Sequence, residues 1–596
     1  MIVPMVGMTA VGVREEKTAV FSGLQDLGCL HLIPLRAAEG EEAAGPAAGT
    51  REALRYLMDC PQRRSQALDG SPFAAARVES RALEIKRRAL ELSDERDALL
   101  DRIAGLKPWG DFDLPPEGEL GGRKLWFYAV PPAQMKKIAG LDLIREEVGQ
   151  DNRFRYLAVI SEDEPKSMPV PRTHAGTRSL SALNRRLDEV ETEMDDLEAE
   201  RSSLTRWCTL FSRGVYALEN AAARARAESI TLDDGPLFGL AAWAPSSSAE
   251  ALRAFARERG LVLEIREPAA GETPPTAFSN PALLAGGQDL VSVYLTPDYR
   301  LWDPSVVVFF SFSIFFAMII ADAAYALVLA LTLGILWRRL GGSAGGRRFR
   351  ILCVSIVGAS LVYGVLSGGY FGVEPAEGSF LARLVVLHPK DFDLMMKVTI
   401  LLGAAHLALA NFISAWRRRN SLAALAPAGW ILIFLGGVVL WLGPSLGPAS
   451  AVRTAGKGSL LLGALFVLLF SGSKGGFGKR LLSGLEGLTR LSAAFGDTLS
   501  YMRLFALGLA AVSLAGAFNG LAAQVRGSIP GLGLLIAMII LLFGHTLNLV
   551  LGIMGGVIHG LRLNCIEFFN WSLPEEGYPF RAFKKKEASG WNNLSS

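Results

Sequence analysis

Residues 305–337 read SVVVFFSFSIFFAMIIADAAYALVLALTLGILW. As a single helix this run would be about 50 Å long, because an α-helix rises 1.5 Å per residue. The hydrocarbon core of a bilayer is about 30 Å thick, so about 20 apolar residues are enough to cross it. An ionisable residue, Asp322, stands in the middle of the run. Its length therefore favours two short crossings over one.

Basic residues in the loops decide between one crossing and two, because cytoplasmic loops of membrane proteins are enriched in Lys and Arg. Here the basic clusters follow alternate apolar runs, at 338–350, 417–419, 474–490 and 584–586. If 305–337 crosses twice, the first 300 residues lie on the side of these clusters. If it crosses once, a charged domain without a signal peptide would have to be exported. We therefore expect eight crossings and cytoplasmic termini.

The remaining apolar runs are distributed over the rest of the chain, at 351–370, 394–415, 425–442, 458–472, 491–523 and 531–569. The last two exceed 30 residues, so we expect long helices that are tilted or extend beyond the bilayer. We assign 296–575 to an all-α transmembrane domain and 576–596 to a cytoplasmic tail. The expected location is a membrane that the chain crosses several times.

Charge divides the chain into two unlike halves. Residues 1–300 hold 37 Lys+Arg and 46 Asp+Glu, whereas 301–596 hold 24 and 12. This split excludes a single soluble globule, a disordered chain and a secreted disulfide scaffold. The basic residues are spread between apolar runs, which argues against a nucleic-acid partner. None of the five cysteines forms a CxxC pair, so we predict free thiols, no metal and no cofactor.

Two segments of the N-terminal half have the apolar spacing of a coiled coil. They lie at 82–106 and 180–211, with charges between the apolar positions. Such a seam needs a partner helix. We predict that the two pair as an antiparallel hairpin, because they are similar in length and enclose a compact insert. The alternative is a parallel dimer of two chains.

Strand-like runs flank these helices. A distal lobe is expected from LWFYAV (125–130) and YLAVI (156–160), and a proximal lobe from runs near the start of the chain and in 235–270. The predicted boundaries are a proximal lobe of 1–60 and 230–280, a coiled coil of 78–107 and 177–228, and a distal lobe of 108–176, all within a cytoplasmic arm of 1–295. The fold class is therefore mixed, with cytoplasmic α/β lobes joined by an antiparallel coiled-coil hairpin and followed by about eight transmembrane helices.

The N-terminal half contains no recognisable catalytic motif. It lacks a GxxxxGK[ST] phosphate loop, a nucleophile elbow and a His/carboxylate cluster. We expect a chain that is not an enzyme by itself.

Two arginines in the apolar half are not explained by topology. Arg503 lies inside LSYMRLFALGLAAVSLAG and Arg562 inside VIHGLRLNCIEFF. A charged residue at the centre of a membrane helix costs at least ~2.5–3.5 kcal/mol, so it indicates function by default. A long side chain near a helix end can instead reach the interface. That alternative fits Arg562 better than Arg503, which is far from both ends of its run.

Sparse polar residues accompany the two arginines. His559 precedes Arg562 by three residues, so the two are neighbours on one helix surface. Together these groups could line a water-accessible path interrupted by fixed positive charge, although each could equally be a helix–helix contact. The candidates are Asp322, His559, Glu567, Asp497, His545 and His406.

The motif SYMRLFALGLA (500–510), followed by HGLRLNCIEFF (559–569), resembles the membrane subunit a, or subunit I, of V-type and A/V-type rotary ATPases. The run containing Asp322, the stretch SGGYFGV (367–373) and PPTAFSNP (274–281) resemble the same family. The resemblance covers essentially the whole chain, and the length is similar to that of the short prokaryotic form. The sequence departs from eukaryotic members at Ala511 and Gly552, where they have His and Glu.

This resemblance implies a stator subunit without cofactors. Arg503 would face a ring of c subunits whose carboxylates carry protons, in preference to Na⁺, and Arg562 would stand near it. Asp322 would belong to the half-channel on the non-cytoplasmic side. A guanidinium stays charged, so it would favour the ionised form of each arriving carboxylate and block leakage between offset half-channels. The implied partners are c-ring proteolipid subunits, E/G-type peripheral stalk heterodimers, a central-stalk-associated d/C-type subunit and the lipid bilayer.

Two other classes of protein remain open at this point. A secondary transporter or channel with a regulatory coiled-coil arm would predict broken helices at matching places in two halves, and no such symmetry is visible. A membrane scaffold would leave Arg503 without a role.

Overall fold

The computed structural model describes residues 1–586 apart from 37–47, 68–73, 115–119, 139, 175–177, 389, 447–448, 473–476 and 529–531. The end of the predicted tail (587–596) and Lys474 of the third basic cluster lie outside the described residues.

The N-terminal half alternates strands and helices. In chain order its elements are β1 (Met5–Val13), α1 (Lys17–Leu27), β2 (His31–Ile33), α2 (Ala48–Met58), α3 (Ala75–Leu106), β3 (Lys124–Val130), α4 (Met135–Ile138), β4 (Ile144–Gln150), β5 (Arg155–Ser161), α5 (Leu180–Leu204), α6 (Cys208–Ser229), β6 (Leu232–Asp234), β7 (Leu237–Pro245), α7 (Ala249–Glu258), β8 (Val262–Arg266) and α8 (Ala285–Tyr294).

The proximal lobe is an antiparallel sheet in the order β2-β7-β1-β8, with β6 added beside β7. Its central strand β1 pairs Met5–Val13 with Leu237–Pro245 on one side and with β8 on the other. One face of the sheet packs on α1, where Phe21 and Leu24 are fully buried. The distal lobe is a separate three-stranded sheet, β3-β5-β4.

The arm between the lobes is an antiparallel pair of helices within one chain. Three ion pairs fix its register, Arg81–Glu200, Arg88–Glu193 and Glu95–Arg186, because residue numbers on α3 rise as those on α5 fall. Between them the seam buries Leu92, Leu99 and Val190. The intramolecular hairpin predicted from the apolar spacing is therefore present.

Helix α2 lies within the residues predicted for the proximal lobe (1–60) and packs at the root of the hairpin, on α3 and α6. Leu57 of α2 is fully buried with Ala82 and Phe211. The reason is that α2 is amphipathic and the root of the hairpin offers it an apolar face away from the sheet.

The C-terminal half is helical. Its elements are α9 (Ser305–Ile320), α10 (Ala323–Leu340), α11 (Ala344–Ser367), α12 (Phe380–Arg383), α13 (Phe392–Arg417), α14 (Leu425–Leu446), α15 (Ala449–Phe470), α16 (Phe477–Thr489), α17 (Leu491–Ser500), α18 (Met502–Ser528), α19 (Gly533–Arg562), a π-helical turn (Leu563–Phe568) and α20 (Phe569–Ser572). Among the described residues, seven helical segments are long and apolar enough to cross a membrane, and α9 is a shorter apolar helix.

The run 305–337 is divided in two, as its length predicts. Helix α9 ends at Ala321, which has a left-handed backbone (φ 48°), and α10 begins after Asp322. Contacts with α11 give the directions: Ser313 bonds Ser355 midway along both helices and Gly364 near the end of α11 lies against Asp322 and Ala323, while Arg350 near its start packs on Trp337 at the end of α10. Helices α9 and α10 are therefore antiparallel, and both outer ends lie on the side of the N-terminal domain, called here the arm side.

The run 491–523 lies in a long helical span, Gly478–Ser528, as its length predicts. Within that span the helix is interrupted at Tyr501, which separates α17 from α18 directly before Met502 and Arg503. Tyr501 is fully buried, and Gly403 of α13 lies against its ring, so that a Cβ at Gly403 would approach the ring to 2.7 Å. Packing of this aromatic ring, rather than a breaking residue in the sequence, determines where the helix is interrupted.

The predicted tail 576–596 is bound to the proximal lobe over its described part. Phe583 donates its backbone N–H to the oxygen of Leu30 and packs on Phe21. The backbone N–H of Lys586 donates to the side chain of Asn220. We call residues 576–586 the C-terminal strap, because they connect the last membrane helices to the sheet.

Candidate functional site

Arg503 is placed in the first turn of α18, beside the end of α19. The two helices are antiparallel, since Phe518 packs on Gly544 near their connection and Arg503 lies near His559 and Arg562 at the other end. On the opposite side α13 packs on the break before α18, where Thr399 contacts Met502. Arg503 is therefore enclosed by helices on two sides and is half-buried.

A carboxylate shares this site. Glu567 is only 3% exposed, and its Oε1 lies 3.8 Å from Nε of Arg562, whose side chain is 51% exposed. Both Arg503 and Arg562 act electrostatically on Glu567. Glu567 lies in the π-helical turn that follows Arg562, and π-turns inside helices are frequent at functional sites. The extra residue of this turn changes the directions of the side chains that follow Arg562. Glu567 therefore lies on the same side of the helix as Arg562.

Three polar atoms of this cluster are buried without a hydrogen-bond partner in the described residues. They are Nη1 of Arg503, Nδ1 of His559 and Oε2 of Glu567. Buried polar groups nearly always have a hydrogen-bond partner, so three polar atoms without one in the same place need an explanation. The arrangement can receive a charged or hydrogen-bonding group at Arg503 without first breaking a strong ion pair.

Two other sequence candidates lie next to this cluster but are engaged in packing. Asp497 accepts a hydrogen bond of 2.7 Å from the indole of Trp571. His406 bonds the hydroxyl of Tyr501 at 2.7 Å and stacks on Phe568 with ring centroids 4.3 Å apart. These contacts connect α13 and α17 to the segment that carries Glu567.

Asp322 lies in the break between α9 and α10, where it is an N-cap and an anchor. Its Oδ1 accepts from the N–H groups of Ala324 and Tyr325, and its Oδ2 accepts from Gly372 at 3.0 Å. It is 2% exposed. Three backbone donors engage both carboxylate oxygens, so Asp322 joins the start of α10 to the stretch SGGYFGV, in which Gly372 has a φ of 71°.

A network of polar side chains surrounds this anchor. The Tyr325 hydroxyl lies 2.7 Å from Nδ1 of His545, and Nε2 of His545 lies 3.1 Å from Oδ1 of Asn519. Asn548 donates both to Tyr325 and to the backbone oxygen of Ala511. We call Tyr325, His545, Asn548 and Asn519 the far-side network, because it lies away from the arm side.

An apolar layer separates the far-side network from the arginine cluster. Arg503 and Asn519 are about 24 Å apart along α18 at 1.5 Å per residue. Between them Gly556 lies so close to Phe316 that a Cβ there would approach the ring to 2.5 Å, and Gly552 lies against Ile320. The polar residues predicted along one face of the last helix therefore form two separate polar sites, with apolar packing against α9 between them.

Two members of the far-side network were missed by sequence reasoning, Tyr325 and Asn519. Both had a usable signal. Tyr325 follows Asp322 by three residues, so it is carried by the same turn. Asn519 lies nine residues before the end of α18 and His545 twelve residues after the start of α19, and antiparallel neighbouring helices bring such positions to similar levels.

In the part of the chain that the structure describes, no group of three or more His, Cys, Asp or Glu side chains could hold a metal ion.

The fold and these two sites define the chain as a multi-pass membrane protein with a long N-terminal arm and charged or polar groups buried between its last helices. It is 26% identical, over 98% of both chains, to the V-type ATP synthase subunit I of Chlamydia trachomatis. It is 28% identical to the A-type ATP synthase subunit I of Methanocaldococcus jannaschii over 67% of this chain and 63% of that one. The chain is therefore a relative of the V-type and A-type ATP synthase subunits I.

A scan against protein-family models gave no match. Among solved structures, the crystal structure of the cytoplasmic N-terminal domain of subunit I, a homologue of subunit a of V-ATPase, covers 44% of this chain and 99% of its own length. That match has a sequence identity of 17% and a TM-score of 0.22.

Proposed function

We propose that this chain is the stator subunit of a V/A-type rotary ATPase and passes protons, in preference to Na⁺, to and from the carboxylates of a c ring. The observation that carries the proposal is Arg503, a half-buried guanidinium with an open Nη1 between α13 and α19. A carboxylate arriving beside it would be favoured in its ionised form, because opposite charges attract strongly where water is excluded.

The surface next to Arg503 suits a partner made of helices. Large apolar side chains of α19 are exposed along one side: Val550, Leu551, Met554, Val557 and Ile558. In the assembled complex the c ring would cover this surface. Arg562, half-exposed beside Glu567, would be the second arginine that the arriving carboxylate meets.

The two polar sites would serve as the two ends of an offset path. The arginine cluster with Glu567 and His559 would open to the cytoplasm, and Asp322 and His545 would belong to the opposite half-channel. The apolar layer between them would force each proton to travel on the ring. In this orientation both termini lie in the cytoplasm of a prokaryote, and the membrane is the plasma membrane.

The arm would hold the membrane domain against rotation. Its tip and hairpin would bind E/G-type peripheral stalk heterodimers, and a d/C-type subunit would connect to the central stalk. Nucleotide hydrolysis would then belong to other subunits, and the chain itself would not be an enzyme.

The decisive experiment replaces Arg503 in the complete complex. We expect Arg503→Ala to abolish ATP-driven proton uptake into membrane vesicles while the subunit still co-isolates with a carboxylate-bearing ring protein. The matched control is Arg526→Ala on the same helix, an exposed arginine in its last turn that should leave uptake unchanged. Normal uptake by complexes with a full content of the Arg503→Ala subunit would refute the proposed function.

A further inference from the structure

The far-side network has a single consistent hydrogen-bond direction. The oxygen of Ala511 can only accept, so the group of Asn548 that faces it is the NH₂ group. The second N–H of that group donates to the Tyr325 oxygen. The Tyr325 hydroxyl proton is then free to point to Nδ1 of His545, which accepts it.

The other end of the network gives the same direction independently. The oxygen of Phe371 accepts from Nδ2 of Asn519, so Oδ1 of Asn519 faces His545. An amide oxygen accepts, so Nε2 of His545 carries a proton. The Asn519 end thus places a proton on Nε2 of His545, and at the Tyr325 end Nδ1 of the neutral ring can accept the hydroxyl proton.

From this geometry we propose that His545 is the proton-carrying residue of the path on the far side, with Tyr325 positioning it. The inference rests on the proposed function and deepens it, because it names the residue that carries the proton on the far side. His545 is partly exposed, whereas Tyr325 and Asn548 are buried, at 3% each. The imidazole therefore stands at the boundary between solvent and the packed helices.

The proton step is a reversible addition at Nδ1. Hydronium gives one H⁺ to Nδ1 of His545, the ring becomes imidazolium and water is released. The Tyr325 hydroxyl then turns its own proton to a water molecule, and its oxygen accepts from both Nδ1–H and Asn548. A phenol oxygen has two acceptor sites and one donor, so each group stays satisfied in both states. Loss of the proton reverses these changes.

The same contacts disfavour a site for an alkali cation. Hard cations are bound by several oxygen ligands such as carboxylates and carbonyls. Both oxygens of Asp322 already accept backbone N–H groups, and the Phe371 and Ala511 oxygens are engaged by amides. The titratable groups that face His545 are Tyr325 and Asp322, whereas α18 and the 367–373 stretch contribute Asn519 and the Phe371 ring.

The test uses His545→Gln and Tyr325→Phe in the complete complex. Glutamine keeps hydrogen bonding but cannot carry the proton, so ATP-driven proton uptake should fall at least about a hundredfold, the low end expected for loss of an acid–base group. Tyr325→Phe should reduce uptake less and shift its pH dependence to lower pH, because the charge-assisted bond that imidazolium donates to the Tyr325 oxygen is stronger than the bond that the hydroxyl donates to the neutral ring. A purely structural Tyr325 would lower the amount of complex without moving the pH profile.

Matched controls keep the substitutions comparable. His388→Gln replaces an exposed histidine in a loop on the same far side, and Thr332→Val removes an exposed hydroxyl from α10 that bonds only its own helix. Both should pump as the unchanged complex does. Ring content is measured by co-isolation; if the His545→Gln subunit fails to assemble, the pH profile of the Tyr325→Phe complex decides.

The possible outcomes separate the two proposals. If Arg503→Ala abolishes uptake but His545→Gln pumps normally, or Tyr325→Phe leaves the pH profile in place, His545 is not the carrier and the stator proposal stands. ATP-driven Na⁺ uptake that survives His545→Gln would also overturn the inference. If Arg503→Ala itself pumps, the proposed function fails.

Discussion

Arginines in the arm and arginines between the membrane helices are arranged in opposite ways. In the arm Arg81, Arg88 and Arg186 each meet a glutamate of the facing helix through two hydrogen bonds of 2.6–3.1 Å. In the membrane half Arg503 has an open nitrogen, and Arg562 stands 3.8 Å from its carboxylate. The arm arginines are thus paired at the solvent-exposed surface, where a charged side chain costs little free energy. The arginines between the membrane helices, where a charge costs more, are not fully paired.

This difference distinguishes arginines that stabilise the fold from arginines that indicate a functional site. A paired surface arginine contributes little, commonly about 0–1 kcal/mol, and sets register. An unpaired arginine between apolar helices costs several kcal/mol unless something compensates it. An arginine of this kind is therefore expected where a binding partner interacts with its charge.

The largest expected effect tests whether Arg503 acts through its geometry as well as its charge. Arg503→Lys keeps a cation but loses the planar fork and the permanent protonation. We expect ATP-driven proton uptake to fall by more than about tenfold, nearly as far as with alanine. Arg526→Lys on the same helix is the control. Uptake near normal in the Arg503→Lys complex would show that any cation suffices there.

A smaller effect is expected at the second membrane arginine. Arg562→Ala should reduce uptake only about two- to fivefold, because its half-exposed side chain is partly solvated and Arg503 remains to meet the carboxylate. Initial rates in vesicles, normalised to ring content, give the measurement. A loss as complete as that of Arg503→Ala would mean that the two guanidinium groups act as one unit.

Breaking a pair in the arm should change stability slightly and transport not at all. A double-mutant cycle of Arg81→Ala and Glu200→Ala should give a coupling of about 0.2–1 kcal/mol, since the pair is largely solvated. Hydrogen exchange along α3 in the full chain measures this local opening. A coupling above about 2 kcal/mol would contradict the distinction between paired and unsaturated arginines.

The smallest effect is a pH dependence confined to the arm. Hydrogen bonds from Arg186, Arg88 and Arg81 hold the pKa values of Glu95, Glu193 and Glu200 below the usual 4.5. A lowered pKa in the folded state stabilises the hairpin above about pH 4.5, and this contribution is lost as the pH falls through the lower folded value. The free energy of local opening of α3, obtained from exchange rates corrected for the intrinsic pH dependence of amide exchange, should thus be unchanged between about pH 8 and 5 and fall below about pH 4. A fall already at about pH 6 would require another group.

The hairpin and most strands could be predicted because each follows from a local pattern. The apolar seams of α3 and α5 have coiled-coil periodicity, and β1, β3, β5 and β7 are apolar runs between turns. The break at Tyr501 and the position of α2 could not be predicted, because both depend on packing against distant helices. Nothing in the residues near Tyr501 indicates that Gly403 will lie against its ring.

The candidate site was predictable in part. Arg503 and Arg562 are visible as charges in apolar runs, and their proximity to Glu567 follows from the helix order. The split between the arginine cluster and the far-side network was not visible, because one helix face carries His559, Asn548 and His545 at helical spacing. Side chains of α9 that lie against Gly552 and Gly556 separate the two groups.

The C-terminal strap gives the arm a second attachment to the membrane helices. One connection runs from β8 through residues 267–304 into α9, and the other runs from α20 back to the proximal lobe, where Phe583 bonds Leu30 and Lys586 bonds Asn220 of α6. A force applied at the distal lobe is therefore transmitted to α9 and α19 through two separate segments of the chain. Bending the arm would press these two helices together or pull them apart, and Phe312 and Gly560, which touch between them, would carry that strain.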